Sequence, residues 1–169
     1  MKAPKKMLVE LPTADEIDEL AVSTPGLNVR KFEYDAGEAD ADLDYAPCKG
    51  QVVLVIRVEA GTARVRRKGE KSWSLQSGTI NTFEDIPQAA KRVAAETCGV
   101  HLRSTDLAAM YDVVRHYKDV TIKRLHIVYA ALTDDECSHG AKFHKEVPTS
   151  VPLDELDRAA LDDCSEKQL

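Results

Sequence analysis

The chain has 169 residues, of which 43% are hydrophobic and 31% charged, and its formal net charge is −6. This length fits one domain with tails, and no apolar run is long enough for a signal peptide or a membrane-spanning helix. Its four cysteines are widely scattered, which is typical of reduced thiols and argues against a disulfide framework. These features predict a cytoplasmic or nuclear protein that makes no membrane contact.

The charge is unevenly distributed along the chain. Residues 1–48 contain 5 Lys and Arg against 11 Asp and Glu, residues 49–133 contain 14 against 8, and residues 134–169 contain 4 against 10. The middle is therefore +6 and each flank is −6. A basic centre favours a polyanionic ligand such as a nucleotide, a pyrophosphate or RNA, because clustered cations raise the local concentration of anions. Alternatively, the acidic flanks fold back over the basic centre and solubilise it.

Residues 1–48 are predicted to be an acidic N-terminal extension to a domain that spans residues 49–169. The extension contains patterns of an edge strand, a short helix and a half-buried strand, at Met7–Leu11, Thr13–Ala21 and Leu27–Tyr34. After them, Asp35–Asp44 has the acidic composition of a mobile loop.

The strands of the main domain are predicted from β-branched and alternating runs. Gln51–Val58 is typical of a strand that is buried on both faces. Further strands, the last two forming a hairpin that turns at Lys118 and Asp119, are expected at Thr62–Arg67, Trp73–Leu75, Leu107–His116 and Thr121–Leu132. A glycine-bearing loop follows Leu75, and Thr133–Lys145 is expected to be a polar loop before a closing helix that ends near Cys164.

One well-capped helix lies between these strands. Asp85 and Pro87 suit its start, and Gly99 suits a left-handed C-terminal cap. Its apolar stripe consists of Ile86, Ala89, Ala90, Val93, Ala94 and Thr97. Arg92 and Glu96 lie on the edge of that stripe, where an ordinary i,i+4 ion pair would contribute only about 0.2–0.5 kcal/mol. Strands on both sides of a central helix, with a closing helix, predict an α/β or α+β sandwich with a mixed sheet.

The stretch from Trp73 to Val100 resembles the Nudix box, the signature of hydrolases that cleave a nucleoside diphosphate linked to another moiety. The positions in register with that signature are Gly78, Glu84, Arg92, Ala94, Glu96, Gly99 and Val100. The resemblance implies a Nudix-type α/β/α sandwich with a mixed β-sheet. It also implies that an active protein would use Mg²⁺ or Mn²⁺, with Glu96 as a catalytic residue and metal ligand that Glu84 and Arg92 support.

Two positions depart from the family pattern in its chemical core. Val93 and Thr97 stand where the family has glutamates, and Gln76-Ser77 replaces the usual Pro-Gly. Mg²⁺ requires several hard oxygen ligands, so Glu96 alone in the helix is a poor metal site. Replacement ligands could come from Asp112, Asp119 or the cluster Asp134, Asp135 and Glu136, although all of these also fit solvated turn or strand-edge acids.

Three functions are compatible with these residues. The first is a Nudix-like module with a degenerate box and impaired catalysis, which binds a nucleotide, a pyrophosphate-containing ligand or RNA without a metal. The second is an active Nudix hydrolase, and the third is a scaffold or interaction subunit with a protein partner. The candidate ligand-binding residues are Arg64, Arg66, Gly78, Arg115 and Lys123.

Overall fold

The structure is a computed structural model that describes residues 6–10, 14–23, 27–37, 50–58, 63–68, 72–118, 120–135, 141–144 and 155–165. Its strands are β1 (Lys6–Glu10), β2 (Asn28–Gly37), β3 (Gly50–Arg57), β4 (Ala63–Lys68), β5 (Ser72–Ser74), β6 (Gln76–Ile80), β7 (Ser104–Tyr117), β8 (Val120–Leu132) and β9 (Ala141–His144). Its helices are α1 (Ala14–Ser23), α2 (Ile86–Cys98) and α3 (Glu155–Cys164).

The described strands form one mixed sheet, whose main path has the order β2-β7-β8-β3-β4-β5. The hairpin of β7 and β8 is antiparallel, whereas β2 lies parallel to β7 and β3 lies parallel to β8. β1 pairs with the first part of β8, before the part that β3 occupies. On the other side of β3, β6 pairs antiparallel with its first half, and β9 pairs with β4. The predicted mixed sheet is confirmed.

Helices cover both faces of this sheet. On the α2 face, the side chains of Val52, Leu54 and Ile56 join the apolar side of α2 in one core cluster, against which Ile17 and Leu20 of α1 also pack. On the α3 face, Val53 and Val55 join Leu156, Ala160 and Cys164 of α3 in a second cluster. The alternation along β3 thus builds the α/β/α sandwich, as the sequence predicts.

Most predicted elements are present, and two loop predictions are wrong. The glycine-bearing stretch after Leu75 forms β6, and part of the predicted polar loop forms β9. Both segments lack a long β-branched run, and both gain their order from main-chain pairing with a neighbouring strand, which local sequence does not report. The first residues of the predicted acidic loop, up to Gly37, belong to β2; residues 38–44 lie outside the described part of the chain.

β2 comes from the segment that the sequence assigns to an N-terminal extension, and it pairs with β7 over nearly its whole length. The boundary at residues 48 and 49 stays a prediction, but this strand belongs to the same sheet as the rest. Among the described residues, no helix combines the length and the apolar character that would cross a membrane. Cys98 and Cys164 are buried and form no disulfide, while Cys48 and Cys137 lie outside the described residues.

A buried carboxylate connects β2, β7 and α3. Asp163, whose side chain is 3% exposed, accepts hydrogen bonds from Arg30 Nε at 3.0 Å and Nη2 at 2.5 Å. The hydroxyl of Tyr111 donates to Asp163 at 2.5 Å, and the amide of Asn28 donates at 3.4 Å. Burial and the hydrogen bond to Asp163 raise the pKa of Tyr111 above its ordinary value, so this phenol stays protonated.

Candidate functional site

The candidate site begins at the turn between β6 and α2. The backbone N–H of Glu84 donates to the carbonyl of Asn81 at 3.0 Å, and the N–H of Asn81 donates to Glu84 Oε1 at 3.3 Å. This reciprocal pair fixes the glutamate side chain beside the first turn of the helix. Asp85 then takes an extended conformation as the N-cap, and Pro87 occupies the first turn, where its missing N–H costs nothing.

Arg92 connects this turn to the helix and to β6. Its Nε and Nη2 donate to Glu84 Oε2 and Oε1 at 2.7 and 2.9 Å, a bidentate ion pair. Nη2 also donates to the carbonyl of Thr79 at 2.6 Å, and Nη1 donates to Glu96 Oε2 at 3.0 Å. Glu84 in particular raises the pKa of Arg92 above its ordinary value. The three predicted catalytic residues are thus brought together in one cluster, in which a single guanidinium pairs with both carboxylates.

The first altered position, residue 93, lies in the apolar stripe of α2. Val93 is 1% exposed, and a Cβ built on Gly78 would lie 2.8 Å from its Cγ2. The open side of Gly78, which the sequence suggests for a ligand, is therefore filled by the helix.

The second altered position hydrogen-bonds to its own helix. The hydroxyl of Thr97 donates to the carbonyl of Val93 at 2.6 Å. The helix ends as predicted at Gly99, which has a φ of 67°, and Val100 is buried beyond it. Neither altered position presents a carboxylate to solvent.

The donor set of this cluster does not fit a divalent cation. Mg²⁺ requires near-octahedral coordination by several oxygens, and carboxylates are its usual protein ligands. Both oxygens of Glu84 accept from Arg92, and Glu96, with a side chain 62% exposed, gives one oxygen to the same guanidinium. In the described ranges, no group of three His, Cys, Asp or Glu side chains is arranged to hold a metal ion.

The proposed replacement ligands have local structural partners. Asp112 pairs with Lys123 at 3.3 Å, and Asp134 pairs with Arg103 at 3.0 Å. Asp135 accepts a hydrogen bond from the backbone N–H of His101 at 2.7 Å, which ties the end of β8 to the segment after α2. Asp119 and Glu136 lie outside the described residues.

The candidate ligand-binding residues do not form one group. Arg115 lies on the α3 face, where its guanidinium carbon is 5.7 Å from the centre of the Tyr34 ring. Lys123 precedes Leu125 and Ile127 by even steps on β8, which places it on the α2 face. The backbones of Arg64 and Arg66 lie in β4 between β9 and β5, and their side chains are outside the described part. The sheet therefore separates Arg115 from α2, the helix that carries Arg92 and Glu96.

Two buried polar side chains on the α2 face were not predicted from the sequence. Gln76 is fully buried and Tyr129 is 5% exposed, and the amide atoms of the first and the hydroxyl of the second have no hydrogen-bond partner in the structure. Both pair with Leu54 of β3, from opposite sides, so they flank it in one row across the sheet. Burial raises the pKa of Tyr129 to about 12. The only sequence signal was Gln76 itself, which stands where the family has proline.

No protein-family model matches the sequence, and no curated protein is significantly similar to it. Solved structures do match. The Bacillus subtilis pyrophosphohydrolase BsRppH superposes with a TM-score of 0.57 at 16% identity, covering 72% of this chain and 84% of that one. The NUDIX domain of Shewanella oneidensis NrtR, complexed with ADP ribose, gives 0.53 at 17% identity, covering 76% and 92%. The MutT NUDIX hydrolase from Burkholderia pseudomallei gives 0.51 at 19%, covering 67% and 95%. The chain has the Nudix fold.

Proposed function

We propose that this chain is a Nudix-fold module that has lost metal-dependent hydrolysis and binds a nucleotide or another pyrophosphate-containing ligand. The packing of Val93 against Gly78 carries the first half of this proposal. A carboxylate at position 93 would have to leave water for a site against an apolar core, where no cation compensates for it. Valine instead contributes buried apolar area, so the position serves stability.

The remaining carboxylates support the same conclusion. Glu84 is held in a bidentate pair by Arg92, and a metal ion would have to compete with that guanidinium for the same oxygens. Glu96 alone offers at most two oxygens from an exposed side chain. Activation of water for attack on phosphorus needs a positioned base and concentrated positive charge, and the single guanidinium of this cluster is already paired with both carboxylates.

The ligand-binding half of the proposal rests on three further observations. The segment of residues 49–133 has an excess of cations, 14 Lys and Arg against 8 Asp and Glu. A Nudix domain of the same fold is known in complex with ADP ribose. Gln76 and Tyr129 bury polar atoms without partners, which is unfavourable unless a ligand or a water molecule supplies the missing hydrogen bonds.

RNA is the second ligand class that the excess of cations favours, because phosphate contacts from Lys and Arg are independent of sequence. A bound RNA would show a strong dependence of affinity on salt, whereas a single nucleotide would show a weak one. A scaffold that binds only a protein partner would bind neither RNA nor a nucleotide. In each case we expect the protein to act in the cytoplasm or nucleus.

The loss of hydrolysis is tested with purified protein, Mg²⁺ or Mn²⁺, and a panel of nucleoside diphosphate derivatives. We expect no turnover above the rate without protein. The matched variant is the double substitution Val93→Glu/Thr97→Glu, which restores the family's carboxylates and should bind Mn²⁺ measurably by calorimetry, unlike the wild type. Turnover by the wild type that disappears in Glu96→Ala would instead identify an active hydrolase.

Ligand binding is tested by thermal shift and calorimetry with ADP ribose, nucleoside diphosphates and a short single-stranded RNA. Arg64→Ala/Arg66→Ala should weaken binding if β4 lines the ligand site, while Arg115→Ala, on the opposite face from α2, is the matched control. Tyr129→Phe removes a single oxygen and should weaken binding without loss of fold. If none of these ligands raises the melting temperature, the binding proposal fails and the scaffold role becomes the favoured function.

A further inference from the structure

β2 forms an edge of the sheet. It has ten residues, Asn28–Gly37, and among the described strands it pairs only with β7. An edge strand carries a row of main-chain N–H and C=O groups that can pair with another strand, and proteins usually protect such edges. The opposite end of the main strand path is β5, which has only three residues. β2 is therefore the long edge of this sheet.

Charged side chains are arranged along β2 by sign. Arg30 and Lys31 lie in its first half, and Glu33 and Asp35 lie in its second half. All four residues are exposed. Lys31 lowers the pKa of Glu33, after the larger effect of the hydrogen bond from His116. A strand with cations at one end and anions at the other is complementary to a second copy of itself in the antiparallel direction.

The register of such a pair follows from the same charges. An antiparallel pair whose two-fold axis passes Phe32 places Lys31 opposite Glu33 of the partner subunit, and the contact occurs twice by symmetry. A register centred on residue 31 would oppose two lysines, and one centred on residue 33 would oppose two glutamates. Parallel in-register pairing would also place like charges side by side. The antiparallel register about Phe32 avoids all of these repulsions.

An exposed apolar side chain on β2 also indicates that a second copy of the chain covers this edge. Val29 of β2 is 69% exposed and is one of the few exposed large hydrophobic residues of the described chain. Large exposed apolar groups next to an unpaired strand edge are typical of surface that another protein chain covers.

We propose that β2 is a homodimer interface, in which two copies pair antiparallel about Phe32 and continue the sheet from one subunit into the other. Lys31 and Glu33 act as the recognition element, because each is opposed by the other's counterpart in the partner subunit. This interface lies on the far side of β7 and β8 from β6 and α2, so it is independent of the proposed ligand site.

The test is sedimentation velocity of the full chain from micromolar to low-millimolar concentration. The wild type should form dimers. Lys31→Glu and Glu33→Lys should each place like charges opposite one another twice and raise the dissociation constant by at least about tenfold. A mixture of these two variants should form heterodimers, because every opposed pair is then of opposite sign. The double variant Lys31→Glu/Glu33→Lys should dimerise alone for the same reason.

Lys91→Glu is the matched control, since Lys91 is exposed on α2, away from β2, and its reversal should leave the dimer unchanged. Glu33 also accepts a hydrogen bond from His116, so each variant is checked by circular dichroism melting. If Glu33→Lys does not fold, Lys31→Ala should weaken the dimer and Lys31→Glu should weaken it further. A monomeric wild type, a dimer insensitive to Lys31→Glu, or a mixture that stays monomeric would overturn the proposal.

Discussion

Two of the clusters in which an arginine pairs with a carboxylate differ in the sequence separation of their members and in their burial. In the box cluster, Arg92 joins Glu84 and Glu96, which lie eight and four residues away in the chain. In the α3 cluster, Asp163 joins Arg30, 133 residues away, and Tyr111, 52 residues away. The Asp163 side chain is 3% exposed, whereas that of Glu96 is 62% exposed.

The box cluster therefore looks functional, whereas the α3 cluster holds the fold together. The box cluster closes a local turn and matches a known motif, yet its one guanidinium pairs with both carboxylates, and the Glu96 side chain is exposed. The α3 cluster matches no motif, but it ties the edge strand β2 to α3 through a desolvated carboxylate. A charge removed from water is costly when it loses its partners, so the second cluster should dominate stability.

The largest expected effect comes from removing the buried carboxylate. Asp163→Ala leaves Tyr111 without its acceptor and frees Arg30, and we expect a loss of about 3 kcal/mol in the free energy of unfolding. Urea denaturation measures it, with Glu84→Ala as the matched change in the box cluster. A smaller loss for Asp163→Ala than for Glu84→Ala would reverse the comparison.

The next effect depends on pH and concerns another buried group on the α3 face. His126 is 4% exposed, and burial, followed by the positive charges of Arg115 and Arg124, lowers its pKa to about 3. The unfolded chain binds a proton near pH 6.5, so stability from the neutral form is complete above that pH and is lost as the pH falls towards 3. His126 should contribute a slope of up to about 1.4 kcal/mol per pH unit in this window.

This slope is measured as the difference between the wild type and His126→Phe in urea denaturation at pH 7, 6 and 5. The variant should lose less stability on acidification than the wild type. His101→Gln, which removes a histidine from an exposed position, is the control for the substitution itself. Parallel curves for the wild type and His126→Phe would show that this histidine does not control the acid sensitivity.

A moderate effect is expected where α2 packs against β6. Gly78→Ala places a methyl group 2.8 Å from Val93 Cγ2, and the crowding should cost about 1–3 kcal/mol. Val93→Ala should recover part of that loss in the double variant, which a double-mutant cycle measures. Gly99→Ala, strained by its φ of 67°, should cost about 1 kcal/mol and show no coupling to Val93→Ala.

The smallest effects lie within the box cluster. Glu84→Gln weakens a half-buried bidentate pair and should cost about 1–2 kcal/mol. Glu96→Gln weakens an exposed i,i+4 pair and should cost less than about 0.5 kcal/mol. Chemical denaturation of both variants compares them directly. Equal costs would mean that Glu96 is more than a surface partner of Arg92.

Local sequence predicted the elements whose order depends on their own pattern. The run of Gln51–Val58, the hairpin of β7 and β8, and the helix with its caps all carry periodic or capping signals over several residues. β6 and β9 were missed because their residues have weak strand preference and are ordered by pairing. The sequence could not place Arg115 and Lys123 on opposite faces, since that depends on the register of a hairpin.

The sequence alone supplied the resemblance that implies the Nudix fold, the grouping of Arg92 with Glu96, and the absence of carboxylates at positions 93 and 97. The grouping follows from spacing along one helix, where residues four positions apart are neighbours in space. Only the tertiary structure decided that Gly78 is filled by Val93, that Asp163 binds Arg30 and Tyr111, and that β2 lies at an edge. Such contacts depend on how distant segments pack, and residues far apart in the chain carry no local signal of their pairing.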